Sequence, residues 1–111
     1  MIYLASPYSS PDPAVMQDRY ERALAVAAML TNKGQVVYSP IVHYHPMACV
    51  HDLPRDFSFW AKINFWMISR ADSLYVLKLG GWQESVGVAA EIDYARKMRK
   101  QVVYLEPILR G

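Results

Sequence analysis

The feature of this chain that most constrains its fold is the alternation of short apolar runs with longer segments of helical period. The short runs are predicted strands, at residues 2–5, 36–38, 73–77 and 101–105. The segments of helical period are predicted helices, at residues 13–33, 56–71 and 86–99. Strands that alternate with helices favour a parallel sheet covered by helices on both faces.

Capping residues mark where these helices begin and end. Asp12 is a good N-cap with Pro13 at the first helical position, and Gly34 is a typical residue just past a helix end. Ser85 is a good N-cap for the last helix. Residues 39–55 contain prolines, three histidines and no period, so they are predicted to form a long loop, which in compact domains is often functional.

Length and composition bound the class of protein. A chain of 111 residues with 53% apolar content predicts one globular domain over residues 1–111. A net charge of +2 does not favour a nucleic-acid polymer as partner, and residues 96–100 are interpreted as a solvated helix end. The single cysteine, Cys49, excludes an internal disulfide. No apolar run has membrane-spanning length and the N-terminus does not resemble a signal peptide, so we expect a cytoplasmic protein without a membrane partner.

The segment from Gly80 to Ala95 contains a carboxylate in an unusual place. A helical wheel puts Glu91 in the middle of an apolar stripe formed by Gly87, Val88, Tyr94, Ala95 and Met98. A carboxylate that faces the core is costly unless it is paired or used. From this segment alone, a functional Glu91 and a rim residue whose stem reaches water are equally acceptable interpretations.

The predicted topology favours the functional interpretation of Glu91. Ligands of parallel sheets bind beyond the carboxyl ends of the strands, where the loops at 6–11, 39–55 and 79–85 would meet. Ser85 and the free amides of Val86 and Gly87 would offer an anion site at a helix N-terminus nearby.

Other polar and aromatic residues have both a functional and a structural interpretation. Asn64 interrupts an apolar helical face. It is interpreted either as a core amide whose hydrogen bonds are satisfied or as a site residue. The spacing of His43, His45, Cys49 and His51 matches no standard zinc motif, so histidines that line a polar pocket are preferred and no metal is expected. The aromatic residues Tyr8, Tyr44, Trp60 and Trp82 could stack on a base or sugar, or could be ordinary core residues. The chain has no P-loop and no dinucleotide-binding glycine motif.

Two sequence motifs carry a family resemblance. IYLASPYS at residues 2–9, together with the spacing of Ser85, Gly87, Glu91 and Ala95, resembles the nucleoside 2-deoxyribosyltransferase superfamily. LGGWQESVGVAAEI at residues 79–92 is more similar still to a small family of unknown function, DUF1937, within that superfamily. The resemblance implies a flavodoxin-like three-layer α/β sandwich with a four- to five-stranded parallel sheet, the first strand central, and a homodimer or homotetramer.

The resemblance also implies a site and a reaction. Glu91 would be the nucleophile that attacks C1′ of the sugar, and Tyr3 would orient its carboxylate. Ser85 stands where relatives that hydrolyse nucleoside monophosphates hold the phosphate, and Asn64 stands where relatives carry an acid that protonates the leaving base. The residues expected to contact substrate are Ser6, Pro7, Tyr8, His43, His45, Trp82, Ser85 and Gly87.

The expected activity is therefore that of an N-glycosidase or deoxyribosyltransferase. Its substrate would be a nucleoside 5′-monophosphate or a nucleoside, and it would need no cofactor. Two alternatives stay open: a nucleotide-binding module without catalysis, which the amide at Asn64 would suit, and a small assembly or regulatory protein that keeps only the fold.

Overall fold

The computed structural model describes residues 1–108 and shows an α/β domain. Its sheet has four parallel strands in the order β2-β1-β3-β4. The elements are β1 (Ile2–Ala5), α1 (Pro13–Asn32), β2 (Val37–Tyr38), α2 (Pro40–His51), α3 (Phe57–Arg70), β3 (Ser73–Leu77), a single 3₁₀ turn (Trp82–Glu84), α4 (Val86–Lys97) and β4 (Gln101–Leu105). The α/β class, the parallel sheet and the central first strand are confirmed, and the arrangement is consistent with a flavodoxin-like fold.

The predicted caps are present. The Asp12 side chain accepts a hydrogen bond of 2.9 Å from the Ala14 amide at the start of α1. Gly34 follows the end of α1 with a φ of +86°, a left-handed conformation that glycine adopts without strain. The Ser85 hydroxyl accepts a hydrogen bond of 3.2 Å from the Val88 amide, so it caps α4.

Two apolar clusters hold the helices against the two faces of the sheet. On one face, alternate residues of β1 and β3 pack under α3 and α4; the buried members of this cluster are Tyr3, Ala5, Ile68, Ala71, Leu74, Val76, Val88 and Ala95. On the other face the intervening strand residues pack under α1; the buried members there are Leu4, Ala23, Val26, Leu30, Leu77 and Leu79. Because side chains of a strand alternate between faces, β1 contributes to both clusters and lies at the centre of the core.

The long loop predicted for residues 39–55 is wrong, because most of that segment forms α2. Ser39 caps this helix by accepting a hydrogen bond of 3.2 Å from the Val42 amide, and Pro40 occupies its first turn, where no amide hydrogen is needed. Pro46 lies inside the helix and costs it one backbone hydrogen bond. The helix tolerates this loss because Ile41 and Ala48 are buried and hold it to the domain.

Two boundaries also differ from those predicted. The second strand is shorter by one residue: Val36 precedes it with 69% of its surface exposed, although its carbonyl accepts a hydrogen bond of 2.7 Å from the Ile2 amide. The last helix ends at Lys97, and Arg99 takes a left-handed φ of 58° that turns the chain toward β4. Among residues 1–108, no helix combines the length and the apolar character needed to cross a bilayer.

Candidate functional site

A cavity of about 540 Å³ opens at the carboxyl edge of the sheet. The loop after β1 lines it through Ser6 and Tyr8, and the loop after β3 lines it through Gly81 and Ser85. Helices α2, α3 and α4 complete the wall. The chain runs outward from β1 to β2 on one side and returns to β3 on the other, so the cavity lies at the topological switch point of the sheet, where α/β domains bind ligands.

Glu91 of the cavity lining is paired with Tyr3, which is not itself a lining residue. Tyr3 lies on β1 and is fully buried, and its hydroxyl donates a hydrogen bond to Oε2 of Glu91. Glu91 lies on α4 with 4% of its surface exposed, and it lines the cavity. The interpretation of Glu91 as a solvated rim residue therefore fails, because the carboxylate is buried and paired.

Burial makes the charge of Glu91 sensitive to pH. Removal from water raises the pKa of Glu91 to about 7, while the hydrogen bond from Tyr3 opposes that rise by stabilising the carboxylate. Burial and the neighbouring carboxylate raise the pKa of Tyr3 well above its ordinary value, so the phenol keeps its proton and remains a donor. The pair can present a carboxylate near neutral pH with one oxygen held in place.

Two buried polar atoms on the cavity wall have no hydrogen-bond partner in the part of the chain that the structure describes. They are Oγ of Ser6 and Oδ1 of Asn64, and each residue has 6% of its surface exposed. An unpaired buried polar atom costs roughly 1–3 kcal/mol, so such atoms are rare in folded proteins. Both residues line the cavity, so a ligand that reached these atoms would supply the missing hydrogen bonds.

The N-terminus of α4 forms one end of the cavity. Ser85, Val86 and Gly87 line it, and the amides of Val86 and Gly87 belong to the first turn, where helices lack internal acceptors. Gly87 has no open space beside it, because a Cβ there would approach Cδ1 of Phe57 to 2.9 Å. Glu84 also lines this end and contributes negative charge.

Arg19 is a cavity residue that sequence reasoning missed. From α1 its guanidinium donates hydrogen bonds of 3.2 Å to the Tyr8 carbonyl, 3.0 Å to the Ser9 carbonyl and 3.2 Å to the Gly80 carbonyl. These bonds tie the loop after β1 to the loop after β3 and place a cation on the wall of the cavity. One signal existed: Arg19 extends the buried stripe of α1 by one turn, toward the carboxyl edge of the sheet.

A second polar cluster lies where α2 faces the loop after β1. The Tyr8 hydroxyl is 2.6 Å from Nδ1 of His45, and Nε2 of His45 is 2.8 Å from Oε1 of Gln17. Tyr8 and His45 both line the cavity, and so does Arg55, whose guanidinium donates a hydrogen bond of 3.1 Å to the Ala48 carbonyl. Arg55 was also missed, since nothing in its local sequence distinguishes it from a solvated loop residue.

Aromatic rings form the wall between this cluster and α3. Tyr44 and Trp60 line the cavity with ring centroids 4.5 Å apart, and Phe57 is a third aromatic residue of the lining. Flat apolar surfaces next to a few polar groups are typical of sites for small planar ligands.

Three of the residues expected to contact substrate lie elsewhere: among the residues described, Pro7, His43 and Trp82 are not part of the cavity lining. Pro7 is fully buried, His43 is an exposed residue whose ring packs between those of Tyr38 and Tyr44, and Trp82 packs against Tyr104. Their side chains are thus used in packing. Across residues 1–108, no three His, Cys, Asp or Glu side chains are grouped so that they could hold a metal ion.

Fold and site together define a class: a parallel α/β domain with a buried glutamate in a cavity at the switch point. The family model for DUF1937, a domain of unknown function, matches residues 1–107, so the chain belongs to that family. Among curated proteins, none matches the chain.

Proposed function

We propose that this protein cleaves the bond between base and sugar in a nucleoside 5′-monophosphate or nucleoside, as an N-glycosidase or a deoxyribosyltransferase. The observation that carries the proposal is the buried Glu91, which lines the switch-point cavity and is held by Tyr3. This is the residue pair that the resemblance to the nucleoside 2-deoxyribosyltransferase superfamily assigns to nucleophile and orienting phenol.

The reaction is a retaining displacement. Oε1 of Glu91 attacks C1′ while Tyr3 holds Oε2, the bond from C1′ to the base nitrogen breaks, and its electron pair leaves with the base. Water then attacks C1′ of the glycosyl ester, loses a proton and returns the carboxylate; a second base in place of water gives transfer. The departing base takes its proton from water, because the Asn64 amide is not an acid.

The polar ends of the cavity support a nucleotide as substrate. Ser85 and the first-turn amides of α4 favour a phosphate through hydrogen bonds and the helix dipole, and Arg19 adds positive charge to the wall of the same cavity. The rings of Tyr44 and Trp60 offer a surface for the base. The negative charge of Glu84 opposes phosphate binding, so the arginine and the amides must outweigh it.

Base release from a panel of nucleosides and 5′-monophosphates tests the proposal. We expect the parent to release base and to form a glycosyl adduct detectable by mass spectrometry, and Glu91→Gln to lose both. The loss should be on the order of a thousandfold or more, because a neutral amide cannot form the ester.

Asp93→Asn is the matched control, since Asp93 is an exposed carboxylate on the same helix that pairs with Lys97. This variant should keep the parental rate. Equal base release by Glu91→Gln and the parent would contradict the proposal.

A nucleotide-binding module without turnover is the second candidate. Asn64 favours it, because the residue that would supply an acid is an amide. Nucleotide-induced stabilisation of the fold without base release from any member of the panel would select this candidate.

A further inference from the structure

Two loops from different parts of the chain line the cavity, and the Arg19 side chain crosses between them. Nη1 of Arg19 donates hydrogen bonds of 3.2 Å to the Tyr8 carbonyl and 3.0 Å to the Ser9 carbonyl, in the loop after β1. Nη2 donates a bond of 3.2 Å to the Gly80 carbonyl, in the loop after β3. Since β1 and β3 are paired in parallel, both loops leave the same edge of the sheet, and the three bonds join them there. We call these three bonds the Arg19 brace.

The backbone at Gly81 leaves just enough room for this guanidinium. Gly81 has a φ of +87°, and a Cβ built there would lie 2.9 Å from Nη2 of Arg19. A contact that short is tighter than van der Waals packing allows, so one of the two groups would have to move. An alanine at position 81 would therefore strain the backbone and displace the guanidinium.

The loop after β1 is also held from the direction of α2. The Ser9 hydroxyl donates a hydrogen bond of 2.7 Å to the Arg55 carbonyl, in the segment between α2 and α3. The Arg55 guanidinium donates a bond of 3.1 Å to the Ala48 carbonyl of α2. The loop after β1 is thus connected with α2 by one set of bonds and with the loop after β3 by the Arg19 brace.

We infer that Arg19 is a positioning residue of the proposed site: it holds the loop after β1 and the loop after β3 at the spacing that the substrate needs. Two nitrogens of one planar group bond to the two loops, so this role depends on the guanidinium fork and not on charge alone. Glu91 and Tyr3 have their own hydrogen bond on α4 and β1, outside the brace. The effect on substrate rests on the proposed function, whereas the brace itself does not.

Arg19→Lys separates the brace from the charge, because lysine keeps the cation but has a single nitrogen. We expect the KM for base release to rise about tenfold, the effect of losing hydrogen bonds to a charged group, while kcat stays within about threefold of the parental value. The rise should be the same for a nucleoside 5′-monophosphate and its nucleoside, since the charge is kept. A residue that acts through its charge alone would leave Arg19→Lys with the parental KM.

Arg22→Lys is the matched control for this substitution. Arg22 lies on the same helix, and its Nε donates a bond of 2.8 Å to Asp18 of that helix. Arg22→Lys makes the same chemical change outside the brace and should keep the parental KM.

Amide hydrogen exchange measures the brace without any substrate. In the 3₁₀ turn that follows Gly80, the Glu84 amide donates a bond of 3.2 Å to the Gly81 carbonyl, and the Ser85 amide donates one of 3.4 Å to the Trp82 carbonyl. Both amides should exchange about tenfold faster in Arg19→Lys, because the loop opens more often without the brace. Amides of β3 should exchange at the parental rate, whereas a general loss of stability would accelerate them as well.

Gly81→Ala removes the brace while Arg19 stays in the chain. It should accelerate exchange of the same two amides in the parent and should add little in the Arg19→Lys protein, where the guanidinium is already gone. An equal effect in both proteins would show that Gly81→Ala acts by local strain alone. Gly34→Ala is the control for backbone strain elsewhere, since Gly34 has a φ of +86° and no heavy atom within 4 Å of a built Cβ.

The inference is overturned if the turn amides of Arg19→Lys exchange at the parental rate, or if they exchange faster while KM stays parental. Gly81→Ala with the same two readouts decides the matter if circular dichroism shows that Arg19→Lys does not fold. Base release by a parent whose exchange does not depend on Arg19 contradicts this inference alone. Faster exchange in Arg19→Lys, with no base release by the parent from any nucleoside or nucleotide, contradicts the proposed glycosidase and leaves the brace.

Discussion

The burial of Glu91 matters both for the proposed activity and for the stability of the fold. In the unfolded chain its pKa is the ordinary 4.5, whereas burial raises the pKa in the folded domain to about 7. Between these two values the folded state binds more protons than the unfolded state. The contribution of Glu91 to the free energy of unfolding is therefore fully present below pH 4.5 and is lost as pH rises through 7.

Glu91→Gln should remove this pH dependence. Between pH 5 and pH 8 the parent should lose roughly 2–3 kcal/mol of unfolding free energy relative to Glu91→Gln, from the difference between the two pKa values. Urea unfolding of both proteins at the two pH values measures the difference. Asp93→Asn should follow the parent, and parallel curves for the parent and Glu91→Gln would show that Glu91 is not buried as a titrating group.

We expect the Asn64 amide to limit the rate of base release, because it cannot donate a proton to the leaving base. Asn64→Asp replaces a neutral amide with a group that can carry a proton, and burial would raise the pKa of the new carboxyl so that it stays protonated near neutral pH. We expect faster release of bases that need protonation, by about tenfold or more. Single-turnover base release measures the change, with Asn64→Ala as the variant that removes the side chain without adding an acid. Equal rates for the Asp and Ala variants would exclude proton donation from this position.

Sequence alone identifies the residues that break a pattern. Glu91 and Asn64 each interrupt an apolar stripe of a helix, and both lie on the cavity. Arg19 breaks no pattern, because it only extends the buried stripe of α1 by one turn; its bonds to carbonyls of two loops far apart in sequence show that it ties these loops together. Tyr3 gave no signal either, since a tyrosine on a buried strand is common, and it was assigned through the family resemblance.

At the scale of elements, the N-terminus of α4 is the predicted phosphate site. Ser85→Asp and Ser85→Asn are matched variants, because both residues cap helices well and differ mainly in charge. Ser85→Asp should weaken binding of a 5′-monophosphate about tenfold or more by charge repulsion, and should spare the free nucleoside. Ser85→Asn should leave the ratio of the two affinities near the parental value.

Calorimetric titration with each nucleotide and its nucleoside provides the comparison. Should Ser85→Asp weaken both ligands equally, the phosphate does not lie at Ser85. Retained helix content in both variants, measured by circular dichroism, would show that α4 is still capped.

Helix α2 shows why the elements were only partly predictable. Residues 40–51 have no apolar period because α2 divides its contacts: Ile41 and Ala48 are buried, while Met47 and Val50 are exposed. Pro46 also argued against a helix, and its cost is met by tertiary burial, which local sequence does not reveal. The helices with regular stripes and caps, α1, α3 and α4, were predicted within two residues at each end.

For the whole molecule, the described chain is compact as a single copy, with a radius of gyration of 13.0 Å, close to the value of about 13 Å expected for a monomeric domain of this size.

Helix α3 nevertheless leaves an apolar stripe exposed to water. Phe59, Ile63 and Trp66 follow the spacing of one helical face and have 48%, 37% and 53% of their surfaces exposed. Contiguous exposed apolar surface of this kind marks interaction sites more often than single exposed residues do.

We therefore predict a homodimer or homotetramer in which this stripe of α3 is buried between copies. Light scattering coupled to size exclusion should give a multiple of the chain mass for the parent, and Ile63→Lys should shift the distribution toward the single chain by placing charge in the contact. Val36→Lys is the control, because Val36 is also apolar and 69% exposed but lies outside α3, directly before β2. A parent that elutes as one chain at every concentration, or an Ile63→Lys variant with the parental mass, would exclude this stripe as the interface.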